Sequence, residues 1–376
     1  MSWQAHLREG IQALAPLALY DYRNGGPGLA RLDCNELALS LEAPELAELA
    51  GELAKVSLHR YPEVSGLSLR QALAQRWQVE PDEILLGNGS VETIAVLMTA
   101  FGGGRPGAPA KVLYPEPSFP YYGVIARAHG VVPVAVPLEA SFALDPSAFE
   151  EAIDRERPAV ALFASPNNPT GNRFDPAVLE RLARRMDAVF VVDEAYADFA
   201  GATMLSRVRV TPGLFVMRSL SKIGLAGLRL GALVGPRDAI AELDKVRLPW
   251  NVNAVSLALG VAALAHPERL AARVRLLIAL RRELEAALRR VPGLVVYPSE
   301  ANFILVRVPG DAGEVFRRLL EKGVLVKNVS RPGLLERCLR ITVGTGAENE
   351  RCARALEEAV TTSSAASRLC LPAEAP

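Results

Sequence analysis

The chain has 376 residues, 50% hydrophobic and 22% charged, with 42 basic and 42 acidic side chains that cancel. That length exceeds one small core and predicts two domains, and the hydrophobic share excludes a disordered chain. A zero balance with no basic run argues against nucleic acid as a partner.

The opening residues, "MSWQAHLREG", carry charges where a signal peptide places its apolar stretch. From residue 80 onward, short apolar runs alternate with amphipathic stretches: "KVLYPEP", "VVPVAV", "AVALFAS", "AVFVVDE", "LFVMRS" and "LGALVG". Runs without polar alternation suit strands buried on both faces. Between them, "DPSAFEEAIDRER" and "DPAVLERLARRM" open with Asp-Pro, a capping residue before a first-turn proline, and read as helices. Alternation of strand and helix predicts an α/β domain with a mainly parallel sheet.

After "LPWNVN" the pattern changes. Residues 251–290 read as helical almost throughout. Strands at "LVVYPS", "NFILVRV", "VLVKNV" and "CLRITVG" follow, with helices near 313–321 and 347–360, forming a smaller α+β domain. The expected division is an N-terminal segment at 1–50 packed with the small domain, a large domain at 51–265, the small domain at 266–360 and a flexible tail at 361–376. The most apolar helical run, "VSLALGVAALA", is shorter than the about 20 residues that span a bilayer. Cys34, Cys338, Cys352 and Cys370 lie far apart without a CxxC pair and read as reduced thiols. These features predict a soluble cytoplasmic protein with no membrane partner and no metal.

In an α/β sheet, functional groups gather at the carboxyl ends of strands, and four such ends here are polar. "LLGNGSVE" opens a helix, and Gly87, Gly89 and Ser90 there read equally as a phosphate cradle of backbone N–H groups and as a capped glycine turn. "FASPNNPTG" is a rigid turn that either aims the Asn168 amide at a ligand or only reverses the chain. "VVDEAY" ends a strand with Asp193, as a ligand contact or a solvated cap, and "RSLSK" ends another with Ser219, Ser221 and Lys222. Lys222 is one of only six lysines and stands among serines and glycines. Singly, each has an ordinary structural explanation. Together they match the needs of pyridoxal phosphate: a lysine amine for the aldehyde, an acid for the pyridine nitrogen, and a helix N-terminus with hydroxyls and an arginine, here Arg229, for the phosphate.

The ordered set "SPNNPTG", "VVDEAY", "SLSK…GLAGLRLG", "PWNVN" and "CLRITVG" resembles the fold-type-I, pyridoxal-phosphate-dependent aminotransferases, and within them the histidinol-phosphate aminotransferase family, from Leu32 to Glu358. The resemblance implies that Lys222 forms the Schiff base with pyridoxal 5'-phosphate and that Asp193 pairs with the pyridinium nitrogen. Tyr196 and Asn168 then bond the phenolic oxygen, and Phe119 lies against the ring. Gly89, Ser90, Val91, Ser219, Ser221 and Arg229 surround the phosphate. Tyr61, in "RYP", reaches the cofactor phosphate of the second subunit of a homodimer with shared active sites. Arg340 and Tyr20 contact substrate. Separately from the resemblance, the sequence stretch "KNVSRPG" offers Arg331 or Lys327 as a further cation for a substrate phosphate. The chain departs from the family pattern in three places. "SKIGLAGLR" is one residue shorter than many, "LDCNELALSL" keeps Asn35 and Glu36 without the usual Asn-Pro-x-Gly, and Val91 stands where an acid is frequent.

The implied reaction moves an amino group between histidinol phosphate and 2-oxoglutarate, giving imidazole acetol phosphate and glutamate in histidine biosynthesis. Two alternatives stay within the same fold: a broader aromatic or aliphatic amino-acid aminotransferase, and a lyase resembling threonine-phosphate decarboxylase. A cofactor-binding regulator of this fold carries an added helix-turn-helix, and the stretch ahead of "LDCNE" is too short for one.

Overall fold

A computed structural model describes residues 7–12, 14–15, 28–104 and 108–369, the last eight as backbone only. Seven strands form the large sheet: β2 (Ile84–Asn88), β3 (Lys111–Glu116), β4 (Val132–Pro137), β5 (Val160–Ala164), β6 (Val189–Asp193), β7 (Leu214–Ser219) and β8 (Leu230–Val234). Their order is β2-β8-β7-β6-β5-β3-β4. Side chains alternate between two cores: along β6, Phe190 and Val192 enter one and Val189 and Val191 the other. This double burial is why these strands read as unbroken apolar runs.

The pairings from β7 through β4 are all parallel, whereas β8 runs antiparallel to both β7 and β2. Strand direction was not encoded in the apolar run "LGALVG". Its reversal matters, because the start of β8 then meets the ends of its two neighbours. Leu230 pairs with Asn88, and Gly231 pairs with Ser219. Arg229, Gly89 and Ser219 are thereby brought to one edge.

The two Asp-Pro helices form as expected. Asp145 accepts from the N–H groups of Ser147 and Ala148 at 2.9 and 3.2 Å, and Asp175 accepts from Ala177 at 2.8 Å. Each satisfies a donor that a helix N-terminus leaves unpaired. "PWNVN" proves partly structural: Asn253 caps helix Ala254–Leu264, and Asn251 donates to the Leu86 carbonyl at 3.1 Å.

A second sheet of five strands follows the order β1-β11-β12-β10-β9. It comprises β1 (Ala30–Leu32), β9 (Val295–Val296), β10 (Phe303–Arg307), β11 (Val324–Asn328) and β12 (Cys338–Thr342). Strand β1 lies parallel to β11, with Ala30 opposite Val324, whereas the short helix Glu9–Gln12 ahead of it packs on helix Tyr121–Ala128, where Arg8 donates to the Ala128 carbonyl at 3.2 Å. The last helix, Gly346–Leu369, continues into the stretch read from sequence as an aperiodic tail. Cys370 and the residues after it lie outside the described residues. Among the described residues, no helix is long and apolar enough to cross a membrane.

Candidate active site

A cavity of about 540 Å³ opens between the carboxyl edge of the large sheet and the smaller sheet. It is lined by Ser90, Val91, Phe119, Asn168, Asp193, Tyr196, Ser219, Ser221, Lys222, Arg229 and Arg340, all of them singled out from sequence. Parallel register places the end of β6 level with its neighbours, with Asp193 opposite Ala164 and Met217. The turns that follow therefore discharge into one space.

At its large-sheet end, helix Ser90–Phe101 begins without a side-chain cap. Its first N–H groups face the cavity beside Ser219, Ser221 and the guanidinium of Arg229, which donates to Ser221 Oγ at 3.4 Å. Gly89 has φ +82°, which favours glycine, and a Cβ there would lie 2.5 Å from Arg229 Nη2 and push that guanidinium aside. Unpaired backbone donors, hydroxyls and an arginine in one concavity form a site for a phosphate dianion. The shorter lysine motif still delivers Arg229 there, and Val91 contributes without an acidic side chain.

Asp193 and Glu194 are adjacent and both buried, but their partners differ. Glu194 forms an ion pair with Arg218 at 2.8 Å and accepts from Thr203 at 2.6 Å. Asp193 has no such cation. Its Oδ2 accepts from the Tyr122 hydroxyl at 2.7 Å and its Oδ1 from the Ala195 N–H at 3.0 Å. Burial pushes the Asp193 pKa up to about 6, against the two hydrogen bonds and the Lys222 charge that hold it down. It is thus an anion at neutral pH whose remaining valence faces the cavity.

The two asparagines of "SPNNPTG" also divide their work. Asn167 builds the turn: its Nδ2 donates to the Pro117 carbonyl and Thr170 Oγ1 at 2.9 and 2.8 Å, and its Oδ1 accepts from Ser118 at 2.7 Å. Asn168 faces the cavity, with Oδ1 accepting from Arg340 Nη1 at 2.6 Å. Its Nδ2 has no acceptor among the described residues. Lys222 is half-buried, its Nζ donating to the Cys34 carbonyl at 3.4 Å and lying 5.8 Å from the Tyr196 ring centroid.

Arg340 is 8% exposed, and burial lowers its pKa. It alternates with the core residues Leu339 and Ile341 on β12, which turns it toward the cavity. Its Nη2 donates to the Asp33 carbonyl, while its Nε has no hydrogen-bond partner among the described residues. A buried donor left unmatched beside an open cavity fits an anionic ligand. Lys327, opposite Arg340 in the β11–β12 register, lines the same space. Arg331 does not, being paired with Glu116.

Two further residues named from sequence are not gathered here. Tyr61 is 78% exposed, stacked on Trp250 at 4.4 Å, outside its own chain's cavity. Tyr20 lies outside the described residues. Other lining residues were missed: Asp33, Cys34, Pro120 and Tyr121, with Asn35 and Glu36 left as a doubtful substrate segment. The polar run "DCNE" directly after an apolar strand was the available signal. Tyr122, behind Asp193, carried none beyond being a buried aromatic.

The family model for class I and II aminotransferases matches residues 30–357. Histidinol-phosphate aminotransferase 2 of Nitrosococcus oceani is 42% identical over 355 residues, covering 93% of this chain and 96% of that protein. Histidinol-phosphate aminotransferase of Methylibium petroleiphilum is 43% identical over 336 residues, covering 88% and 89%. Among solved structures, histidinol-phosphate aminotransferase from Sinorhizobium meliloti in complex with pyridoxal-5'-phosphate superposes with a TM-score of 0.85, at 24% identity over 96% of this chain and 98% of that one. L-threonine-O-3-phosphate decarboxylase from Porphyromonas gingivalis gives a TM-score of 0.75 at 26% identity, over 88% and 99%. The chain belongs to the class I and II aminotransferases.

Proposed function

We propose that the protein is a pyridoxal-phosphate-dependent aminotransferase that moves an amino group from histidinol phosphate to 2-oxoglutarate, giving imidazole acetol phosphate and glutamate. The observation that carries this reading is the buried, incompletely bonded Arg340 beside Lys327, in the same cavity as Lys222 and Asp193. A guanidinium fork binds phosphate and carboxylate alike, which a two-anion, two-stage reaction requires. The relatives named above, above 40% identity over most of the chain, support the same donor.

The donor set fits pyridoxal 5'-phosphate. Once bound, that group supplies an aldehyde for the amine and an electron-withdrawing ring. Lys222 Nζ would hold the group at its aldehyde and would carry the substrate proton, and Asp193 would keep the proton on the ring nitrogen. Tyr196 and the spare Nδ2 of Asn168 donate to the ring's phenolic oxygen. Phe119 packs on the ring face, and Gly89, Ser90, Val91, Ser219, Ser221 and Arg229 bind its phosphate. Arg340 orients the substrate anion, and Tyr20 is its further contact. Residues 51–265 constitute the cofactor-bearing domain and 266–360 the smaller one, which strand β1 joins. Free thiols at Cys34, Cys338 and Cys352 accord with a reducing, cytoplasmic setting.

The active species is a homodimer. Tyr61 and Trp250 stack on the surface beside exposed Leu58 and Leu248, an apolar patch suited to a two-fold contact with a second copy. Through it, Tyr61 reaches the phosphate end of the second subunit's cavity.

The decarboxylase reading draws on the likeness to the threonine-phosphate enzyme. Single-turnover mixing separates the two. With histidinol phosphate alone, the bound cofactor's absorbance should convert rapidly to that of its amine form, and 2-oxoglutarate should restore it. Carbon dioxide release from threonine phosphate, with no conversion by histidinol phosphate, would reverse the assignment.

A further inference from the structure

Three consecutive residues after β1 touch three different functional side chains. The Asp33 carbonyl accepts from Arg340, the Cys34 carbonyl from Lys222, and the Asn35 amide meets Tyr196. Asn35 is 1% exposed and has φ +54°, a left-handed conformation that asparagine tolerates better than most residues. All its polar groups are engaged. Its N–H donates to Thr342 Oγ1 at 2.9 Å, and its carbonyl accepts from Asn302 Nδ2 at 3.0 Å. Its Oδ1 accepts from the Thr342 hydroxyl at 3.2 Å, and its Nδ2 donates to the Tyr196 hydroxyl oxygen at 2.9 Å.

The network determines which way this amide faces. Thr342 Oγ1 already receives the Asn35 N–H, so its own proton needs an acceptor, and Asn35 Oδ1 is the one within reach. That turns the NH₂ group toward Tyr196, where it has only protons to offer. The phenol must accept there, leaving its own proton to point elsewhere. Among the described residues no other group bonds the Tyr196 hydroxyl, and Tyr196 lines the cavity.

We propose that Asn35 is a positioning residue that directs the Tyr196 hydroxyl proton into the cavity, onto the phenolic oxygen of the bound cofactor. This rests on the reading above that Tyr196 contacts that oxygen. Asn35 is held by Thr342 on β12 and by Asn302 ahead of β10, whereas Tyr196 follows β6. The smaller sheet therefore sets a proton donor on the larger one. The charged and titratable groups facing Tyr196 are Lys222, Arg340, Asp193 and Tyr122. Lys222 and Arg340 also bond the carbonyls of Cys34 and Asp33, so the test has to separate the path through Tyr196 from any shift of that segment.

The test is a double-mutant cycle read by absorbance titration of the holoenzyme. Asn35→Asp keeps the shape and tolerates the backbone, but its carboxylate only accepts, so the Tyr196 proton turns away from the cofactor. The pH of the cofactor's absorbance transition should rise by on the order of one unit, a tenfold change in proton affinity. Asn35→Gly, unstrained at positive φ and uncharged, should give a smaller rise. In a Tyr196→Phe background the Asn35→Gly shift should vanish and the Asn35→Asp shift should fall to what its added charge produces, since the route through the phenol is gone. Equal shifts with and without Tyr196 would overturn the proposal, because they would reflect charge or packing alone. A Tyr196→Phe enzyme with an unmoved transition would instead sink the underlying cofactor contact. If Tyr196→Phe shifts the transition and neither Asn35 variant does, the positioning role fails by itself.

Discussion

At one end of the cavity, Asp193, Ser219 and the Ser90 turn stand on strand ends of a single sheet, with positions fixed by continuous backbone pairing. At the other, Arg340 sits on β12 of a separate sheet and is held by Asp33 and Asn168, which come from two other parts of the chain. The first arrangement is rigid by construction and suits a group that stays bound through every cycle. The second depends on how two sheets meet, and suits ligands that arrive, leave and differ in shape. Buried polar side chains couple the ends: Asn168 is shared with Arg340, and Asn35 with Tyr196.

Substitutions can break this contrast at graded cost. Lys222→Ala should lose turnover by on the order of 10⁴-fold or more, since Lys327, the other lysine on the cavity, stands on the smaller sheet opposite Arg340 rather than at the strand end beside Asp193. Borohydride treatment followed by mass spectrometry should then find no cofactor attached to the chain. Covalent attachment with activity intact would move the role to another lysine. Asp193→Asn should slow the half-reaction by on the order of 10²–10³-fold, as expected when a preorganised charge in a dry site is lost. Unchanged half-reaction rates would place the charge elsewhere.

At the other end the cost should be smaller and divided between substrates. Arg340→Lys keeps the charge but loses the fork, and should lower kcat/KM by roughly 10- to 100-fold for both histidinol phosphate and 2-oxoglutarate. A defect confined to one of them would show that the two anions use separate cations, with Lys327 the first to examine.

Tyr122→Phe should have the mildest effect, read in pH dependence. Asp193 already titrates at about 6, and removing the Tyr122 hydrogen bond should raise that by about one unit. Below its pKa the carboxyl is neutral and cannot pair with the protonated ring nitrogen, so cofactor affinity should fall as pH drops through that value. The acid limb of an affinity titration should therefore move upward in the variant. Stability of the unloaded protein has the opposite sign. Because the folded pKa exceeds the ordinary value of about 4, this group's contribution is largest at low pH and declines as pH rises to about 6. Asp193→Asn should flatten that slope, measured as Tm against pH.

What the sequence determined by itself was local. The apolar runs specify strands, Asp145 and Asp175 specify helix starts, and the four polar strand ends specify which residues can do chemistry, because each is carried by a few adjacent side chains. Tertiary structure decided what depends on residues far apart. An apolar run buried on both faces carries no direction, so the reversal of β8, which delivers Arg229, was invisible. Tyr122 meets Asp193 across 71 residues and Asn35 meets Tyr196 across 161, and neither partner's neighbours in sequence announce the other. Lys327 and Arg331 were equivalent as neighbouring cations in one short stretch of sequence. Only the β11–β12 register and the ion pair with Glu116 separated them, because a charge acts on what folding places beside it.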